Sequence, residues 1–265
     1  MKATFPLASL ALCLALPALA AEGPPVPKPR PERAVAPPRA DAPVIPVPRL
    51  RPDEDVRTPP PAPQAAELLD WPEEMVAEAR AQCATRLAGL PVTYTPLDPI
   101  GKLGGCGAPA PILITAVAGV ALSPPATQTC DMGAALAGWI MNSVKPAAAE
   151  KLGTEITIIH TATSYNCRYR NNGASGKMSE HSKANGLDLS GFSFARDKRV
   201  AVEGSWGEGL ADAVGLSSGG SFLDTIRKSA CAYFTTVLGP GSDPYHGDHF
   251  HLDALRRKND YRICQ

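Results

Sequence analysis

The sequence lacks a net charge, closely spaced cysteines and long apolar segments, and each absence excludes a class of protein. Its 26 Lys and Arg residues balance 26 Asp and Glu residues, so charge favours neither nucleic acid nor an anionic membrane as a partner. No two cysteines have Cys-x-x-Cys spacing, which argues against the zinc–thiolate sites of small structural domains. The apolar run at the start is too short for a transmembrane helix, so we expect no membrane span.

The first 20 residues have the pattern of a secretory signal peptide. Lys2 gives a short positive start, residues 5–16 are apolar, and Ala18-Leu19-Ala20 forms a small-x-small cleavage site. We therefore predict a signal peptide over residues 1–20 and an exported mature protein.

The next segment, residues 21–66, is rich in proline and poor in large apolar side chains. Fifteen of the 28 prolines of the chain lie between Pro24 and Pro63. Such a segment cannot bury enough apolar surface to offset the entropy lost on ordering, so we interpret it as a disordered tether. Residues 67–265 then form one domain that is long enough for a hydrophobic core.

Helical and strand patterns mix along this domain without a repeating βαβ unit, which predicts an α+β fold. We expect helices that begin near Asp70, that span residues 130–152 with a kink or early end at Pro146, and that run from Ser221 to about Leu238. Strand patterns cover residues 111–122 (one or two strands), 154–161, 192–194, 199–202 and 249–253.

The cysteines outside the predicted signal peptide are even in number and widely spaced, which favours disulfide bonds in an exported protein. Six cysteines allow 15 pairings, and the sequence does not choose among them. They are Cys83, Cys106, Cys130, Cys167, Cys231 and Cys264.

Histidine is scarce, yet three of the five histidines lie in the stretch PYHGDHFHLD, residues 244–253. His249 and His251 are two positions apart, so they share one face of an extended strand. This clustering on one face is typical of a metal site or of a proton relay.

A second stretch, SEHSKANGLDLSGF (residues 179–192), supplies the remaining candidate ligands. His181 and Asp188 can approach one ion if the chain turns between them, and Gly186 permits such a turn. Together with His249 or His251 they make two imidazoles, one carboxylate and an open fourth position. That ligand set is typical of a catalytic zinc site.

These motifs resemble a known superfamily. His-x6-Asp followed by His-x-His resembles the zinc peptidases that include lysostaphin-type enzymes, D-Ala-D-Ala peptidases and hedgehog domains. His246-x-x-His249-x-His251 is similar to the histidine cluster of penicillin-insensitive murein endopeptidases. With SYNCR, SEHSKANGLDLSGF and HFHLD, the chain from about residue 80 to residue 265 resembles the bacterial extensin-like C-terminal domain family.

The resemblance implies a small antiparallel sheet flanked by helices and a set of site residues. Zn²⁺ is held by His181, Asp188 and His251. His249 lies beside the activated water as base or transition-state stabiliser, and Arg168 faces the substrate carbonyl.

The sequence departs from the D-Ala-D-Ala carboxypeptidase pattern at two places. Ala184 and Gly186 stand in the reverse of the usual order between the first two ligands. Asp248 replaces the glutamate that acts as general base in that branch, so His249 is our preferred candidate for the base and Asp248 the alternative.

Three further polar residues, His246, Glu180 and Asp253, are not assigned a definite role in the site. His246 is either a substrate-facing or supporting residue of the site or an exposed loop histidine. Glu180 and Asp253 are most simply interpreted as solvated or helix-capping acids.

The function that follows is an exported, periplasmic zinc metallopeptidase that hydrolyses peptidoglycan stem peptides or cross-links. We expect a murein D,D-endopeptidase rather than a carboxypeptidase, with peptidoglycan as its partner. The alternative is a non-catalytic module that binds the cell wall or acts as a scaffold, with a hedgehog-like metal site.

Overall fold

The computed structural model of the chain describes residues 69–205 and 217–265. The predicted signal peptide (1–20) and tether (21–66) lie outside the described residues. The described part of the domain is α+β, as predicted. None of its helices combines the length and the apolar character that a bilayer crossing requires.

A nine-stranded sheet organises the domain, in the order β1-β4-β5-β6-β7-β10-β9-β11 with β8 paired to β7, and β2 and β3 form a separate pair. The strands are β1 (Val92–Pro96), β2 (Ile100–Gly101), β3 (Gly107–Ala108), β4 (Ile112–Val117), β5 (Val120–Gln128), β6 (Ile156–Thr163), β7 (Gly186–Phe194), β8 (Arg199–Ala201), β9 (Thr236–Leu238), β10 (Phe250–Asp253) and β11 (Ile263–Cys264).

The sheet is mixed, and the expectation of a small antiparallel sheet is wrong. β5 pairs with β6 in parallel, and β9 pairs with β11 in parallel. A parallel pair needs a long crossover connection, and the helical segment between β5 and β6 provides one. A single crossover of this kind leaves no repeating βαβ pattern in the sequence.

Within the described residues, four α-helical segments accompany the sheet: α1 (Glu73–Leu87), α2 (Cys130–Trp139), α3 (Lys145–Leu152) and α4 (Ser218–Ala230). A π-helical turn, Ile140–Val144, joins α2 to α3, so Pro146 does not end the helix. The N–H of Lys145 donates to the carbonyl of Ile140, a five-residue step. This wider turn comes just before the proline, whose ring and missing N–H disrupt a regular helix.

The prediction for the last helix is wrong at both ends. It begins at Ser218, where the hydroxyl of Ser217 accepts a hydrogen bond from the Gly220 N–H at 3.0 Å. It ends at Ala230, and residues 236–238 form β9. The β-branched residues of this segment pair with β10 and β11, so sheet pairing overrides the helical pattern.

The hydrophobic core lies between the helices and one face of the sheet. Leu187 and Leu189 of β7 and Leu252 of β10 belong to it. Trp139 of α2 is fully buried there, and its indole N–H donates to the Ile226 carbonyl at 3.0 Å. Because side chains alternate along a strand, the residues between these leucines face the opposite side of the sheet.

The expected disulfide bonds are present. Cys83 pairs with Cys130, Cys106 with Cys167, and Cys231 with Cys264. The first bond joins α1 to the start of α2, the second fixes the segment that carries Arg168, and the third ties the end of α4 to β11.

Helix α1 depends on its disulfide bond, because Leu87 is its only fully buried residue. We predict that replacing Cys83 and Cys130 by serine accelerates amide hydrogen exchange in α1 about tenfold or more and lowers the unfolding free energy by about 2–4 kcal/mol. Hydrogen exchange followed by mass spectrometry measures the first effect. The matched Cys231→Ser/Cys264→Ser variant should leave exchange in α1 unchanged, and equal protection of α1 in all proteins would contradict the prediction.

Candidate metal centre

The pairing of β7 with β10 brings the first two candidate ligands together. His251 lies directly opposite Asp188 in this antiparallel pair. The flanking residues Leu187 and Leu252 point into the core, so both polar side chains project from the other face of the sheet. Asp188 is 4% exposed and His251 is 9% exposed, so neither is an ordinary surface residue.

A short 3-10 helix, Glu180–Lys183, supplies the third candidate ligand, His181. The chain turns back from it at Ala184, whose φ of 52° lies in the left-handed region. The prediction that Gly186 makes the turn is therefore wrong. Gly186 is required for space instead, because a Cβ there would lie 3.0 Å from the backbone nitrogen of His181.

The segment between the candidate ligands is held by two hydrogen bonds to its backbone carbonyls, one from a side chain and one from a backbone N–H. The amide of Gln128, which is completely buried, donates to the Gly186 carbonyl at 2.8 Å. The N–H of Thr129 donates to the Ala184 carbonyl at 2.7 Å. These two donors lie at the start of α2, beside the Cys83–Cys130 bond.

The three candidate ligand atoms form a nearly equilateral triangle. His181 Nε2 lies 3.1 Å from Asp188 Oδ1 and 3.1 Å from His251 Nδ1, and the last two atoms are 2.9 Å apart. Two ligand atoms on a tetrahedral ion with bonds of about 2.0–2.1 Å are about 3.3 Å apart. The triangle therefore fits a small tetrahedral ion, and these residues can hold a metal ion.

The outer nitrogen of each ring has a partner of its own. His181 Nδ1 donates to the Ser164 carbonyl at 2.7 Å, and His251 Nε2 faces Asp253 Oδ2 at 3.3 Å. With neutral rings, these bonds leave lone pairs on both inner nitrogens, as metal-binding histidines require.

Asp253 is therefore a supporting residue of the site, and its interpretation as a solvated or capping acid is wrong. It is 3% exposed. Its spacing of two residues from His251, on one face of β10, was a signal for this role. Glu180 is also buried, with hydrogen bonds from Lys183 and Asn185, rather than solvated.

The directions of the pKa shifts indicate that the cluster favours a positive charge. Burial acts to raise the pKa of Asp188, but hydrogen bonds from His181 and His251 outweigh it and hold the pKa well below its usual range. Burial acts to lower the pKa of His251, but its bonds to Asp188 and Asp253 raise the pKa to about 9. A proton on His251 or a bound cation therefore satisfies the three converging acceptors.

His249 lies next to the three ligands without joining them. Its Nε2 is 3.6 Å from Asp188 Oδ1, and its Nδ1 is 2.7 Å from Asp248 Oδ1. Among the described residues, the group whose ligand atoms all lie within 4.8 Å of one another contains His181, Asp188 and His251 but not His249. The hydrogen bond from His249 also lowers the pKa of Asp248.

His246 belongs to the same cluster of rings. Its ring centre is 5.2 Å from that of His249 and 5.7 Å from that of His251. Its Nδ1 is 2.7 Å from Asp243 Oδ1. Burial lowers the pKa of His246 despite this bond, which favours the neutral ring.

A cavity of about 580 Å³ opens above the cluster, and Arg168 lines it together with all of the predicted site residues. Arg168 is half-buried and follows Cys167, which the bond to Cys106 fixes. The structure thus brings every predicted site residue to one cavity, while their individual roles stay predictions. The sequence analysis missed Arg170, Arg257 and Asp243, which also line it.

A serine-hydrolase arrangement does not compete with this site. Residues 215–219 match Gly-x-Ser-x-Gly, the spacing around the nucleophile of many serine hydrolases. The Ser217 hydroxyl caps α4, and Ser217 does not line the cavity.

The model of the family described as "Extensin-like protein C-terminus" matches residues 81–265, a span that contains every residue of the metal centre. The chain belongs to the extensin-like C-terminal family. No curated protein and no solved structure matches this extensin-like chain. The wider resemblance of the extensin-like domain to zinc peptidases and hedgehog domains stays a prediction.

Gly186 should control metal affinity, since a side chain there displaces His181 from Asp188. We predict that Gly186→Ala weakens metal binding about tenfold or more, as changes beside metal ligands commonly do. Competition with a chromophoric chelator measures the affinity. Gly247→Ala is the matched control, because a Cβ at Gly247 meets nothing within 4 Å. Equal affinities in both variants would refute this account of Gly186.

Proposed function

We propose that this extensin-like domain is an exported zinc metallopeptidase that hydrolyses peptidoglycan stem peptides or their cross-links, most simply as a D,D-endopeptidase. The observation that carries the proposal is the triangle of His181, Asp188 and His251 at the floor of an open cavity, with His249 directed at the same carboxylate oxygen. A structural site is more often closed by a fourth ligand.

Zinc is the ion that this donor set favours. Two imidazole nitrogens and one carboxylate are common ligands of catalytic zinc, whereas calcium and magnesium prefer oxygen ligands. When bound, a zinc ion supplies Lewis-acid activation of water and of the scissile carbonyl. His181, Asp188 and His251 hold the ion, and the Ser164 carbonyl and Asp253 fix the two rings.

The remaining residues move protons and stabilise charge. Asp248 accepts the Nδ1 hydrogen of His249, which leaves Nε2 free to take a proton from the attacking water. As the new C–O bond forms and the C–N bond breaks, His249 Nε2 returns that proton to the leaving nitrogen. Arg168 donates hydrogen bonds to the carbonyl oxygen as it gains negative charge.

Two features support a substrate in the cell wall. The first 20 residues have an export pattern, and three disulfide bonds suit an oxidising compartment such as the periplasm. The cavity is open and lined by polar side chains, as expected for a peptide substrate rather than a small apolar ligand.

Peptidoglycan digestion tests the activity directly. We expect the zinc-loaded protein to convert cross-linked muropeptide dimers to monomers, as separated by liquid chromatography. Asp188→Asn, which removes a ligand charge at constant size, should abolish the conversion. Loss only of a terminal D-Ala from monomers would establish a carboxypeptidase. No hydrolysis by protein with zinc bound would favour the non-catalytic wall-binding or scaffolding module.

Replacing His249 and replacing His251 should have different effects on metal content. We predict that His249→Ala keeps its zinc and lowers kcat about 100-fold or more, because it removes the general base. His251→Ala should lose both zinc and activity, because it removes a ligand. Metal content by mass spectrometry and turnover of a stem peptide separate the two cases. Loss of zinc from His249→Ala would make His249 a ligand and remove it as the base.

A further inference from the structure

The cavity contains two arginines with no side-chain partner. Arg168 and Arg170 both line it. Neither guanidinium has a hydrogen bond or an ion pair with any residue in the ranges 69–205 and 217–265. The third arginine of the cavity, Arg257, differs because it donates to the Thr235 carbonyl and to the Thr236 hydroxyl.

None of the acids that line the same cavity contacts these two arginines among the described residues. Each has a partner of its own: Lys183 and Asn185 for Glu180, His181 and His251 for Asp188, His246 for Asp243, His249 for Asp248, and His251 for Asp253. The donor groups of the two guanidiniums therefore stay available to an anion that enters the cavity.

The backbone places the two arginines side by side. Tyr169 between them is extended, with φ −72° and ψ 163°, so residues 168 and 170 project to the same side. The Ser179 N–H donates to the Arg168 carbonyl at 3.1 Å, and the Arg170 N–H donates to the Lys177 carbonyl at 3.0 Å. These two bonds pair residues 168–170 with residues 177–179, and the Cys106–Cys167 disulfide bond anchors the first of these segments at its start.

We propose that Arg170, beside Arg168, forms a carboxylate subsite that selects peptides with a free carboxylate next to the scissile bond. The proposal rests on the proposed function. A guanidinium presents a fork of donors that matches a carboxylate. The half-buried Arg168 lies deeper and is already assigned to the reacting carbonyl, whereas the exposed Arg170 lies at the rim. Arg170 is thus the specificity-determining residue.

Two kinds of carboxylate on a stem peptide share this chemistry. One is the C-terminal α-carboxylate, and the other is a side-branch carboxylate of an internal residue. Three synthetic peptides distinguish them: the free acid, the C-terminal amide and the side-branch amide. The amide that the wild-type protein hydrolyses poorly identifies the carboxylate that Arg170 recognises.

The test compares kcat/KM of the full-length, zinc-loaded protein and three variants on these peptides. We expect the wild type to prefer the free acid over one amide by about tenfold, a modest factor because a rim pair is partly screened. Arg170→Gln should lose this preference by slowing only the free acid. Arg168→Gln should slow all three peptides alike, and Arg199→Gln, outside the cavity, should slow none.

Two results would overturn the subsite while leaving the peptidase intact: no preference in the wild type, or an equal loss on acid and amide in Arg170→Gln. If no peptide is hydrolysed, the proposed function fails, and calorimetric binding of the same peptides decides the subsite. Binding of the free acid about tenfold tighter than its amide, lost in Arg170→Gln, supports it. Equal binding overturns it.

Discussion

Three polar atoms lie about 3 Å from one another at the centre of this site: Nε2 of His181, Oδ1 of Asp188 and Nδ1 of His251. Acceptors so close repel one another unless a positive charge lies between them. The fold must therefore hold this group in place together with a proton on His251 or a bound cation. Much of the architecture around the centre is explained by this requirement.

The support comes from both faces of the sheet. On the core face, the leucines beside Asp188 and His251 fix the register of β7 against β10. A one-residue slip of β10 against β7 would turn His251 into the core, so apolar packing specifies the site indirectly. On the other face, Gln128 and Thr129 hold the turn between His181 and Asp188, and a disulfide bond anchors the start of α2 beside them.

Local spacing made the ligands predictable, since His-x6-Asp and His-x-His encode a turn and a strand face within short segments. The turn itself was assigned to Gly186 rather than Ala184, because a left-handed alanine is disfavoured and persists here only through its surroundings. The mixed sheet, the strand β9 and the cysteine pairing depend on contacts between distant segments. No local sequence pattern predicts these features. The role that we propose for Arg170 likewise depends on its position in the cavity, which the sequence does not show.

The candidate ligands are unequally spaced along the chain: Asp188 comes seven positions after His181, and His251 comes 63 positions after Asp188. The first pair is a half-site that local structure can form early. The site becomes complete only when β10 enters the sheet between β7 and β9. Binding of a cation by all three residues would therefore depend on this long-range pairing and would stabilise it. The three candidate ligands thus come together only in a chain whose β7 and β10 are paired.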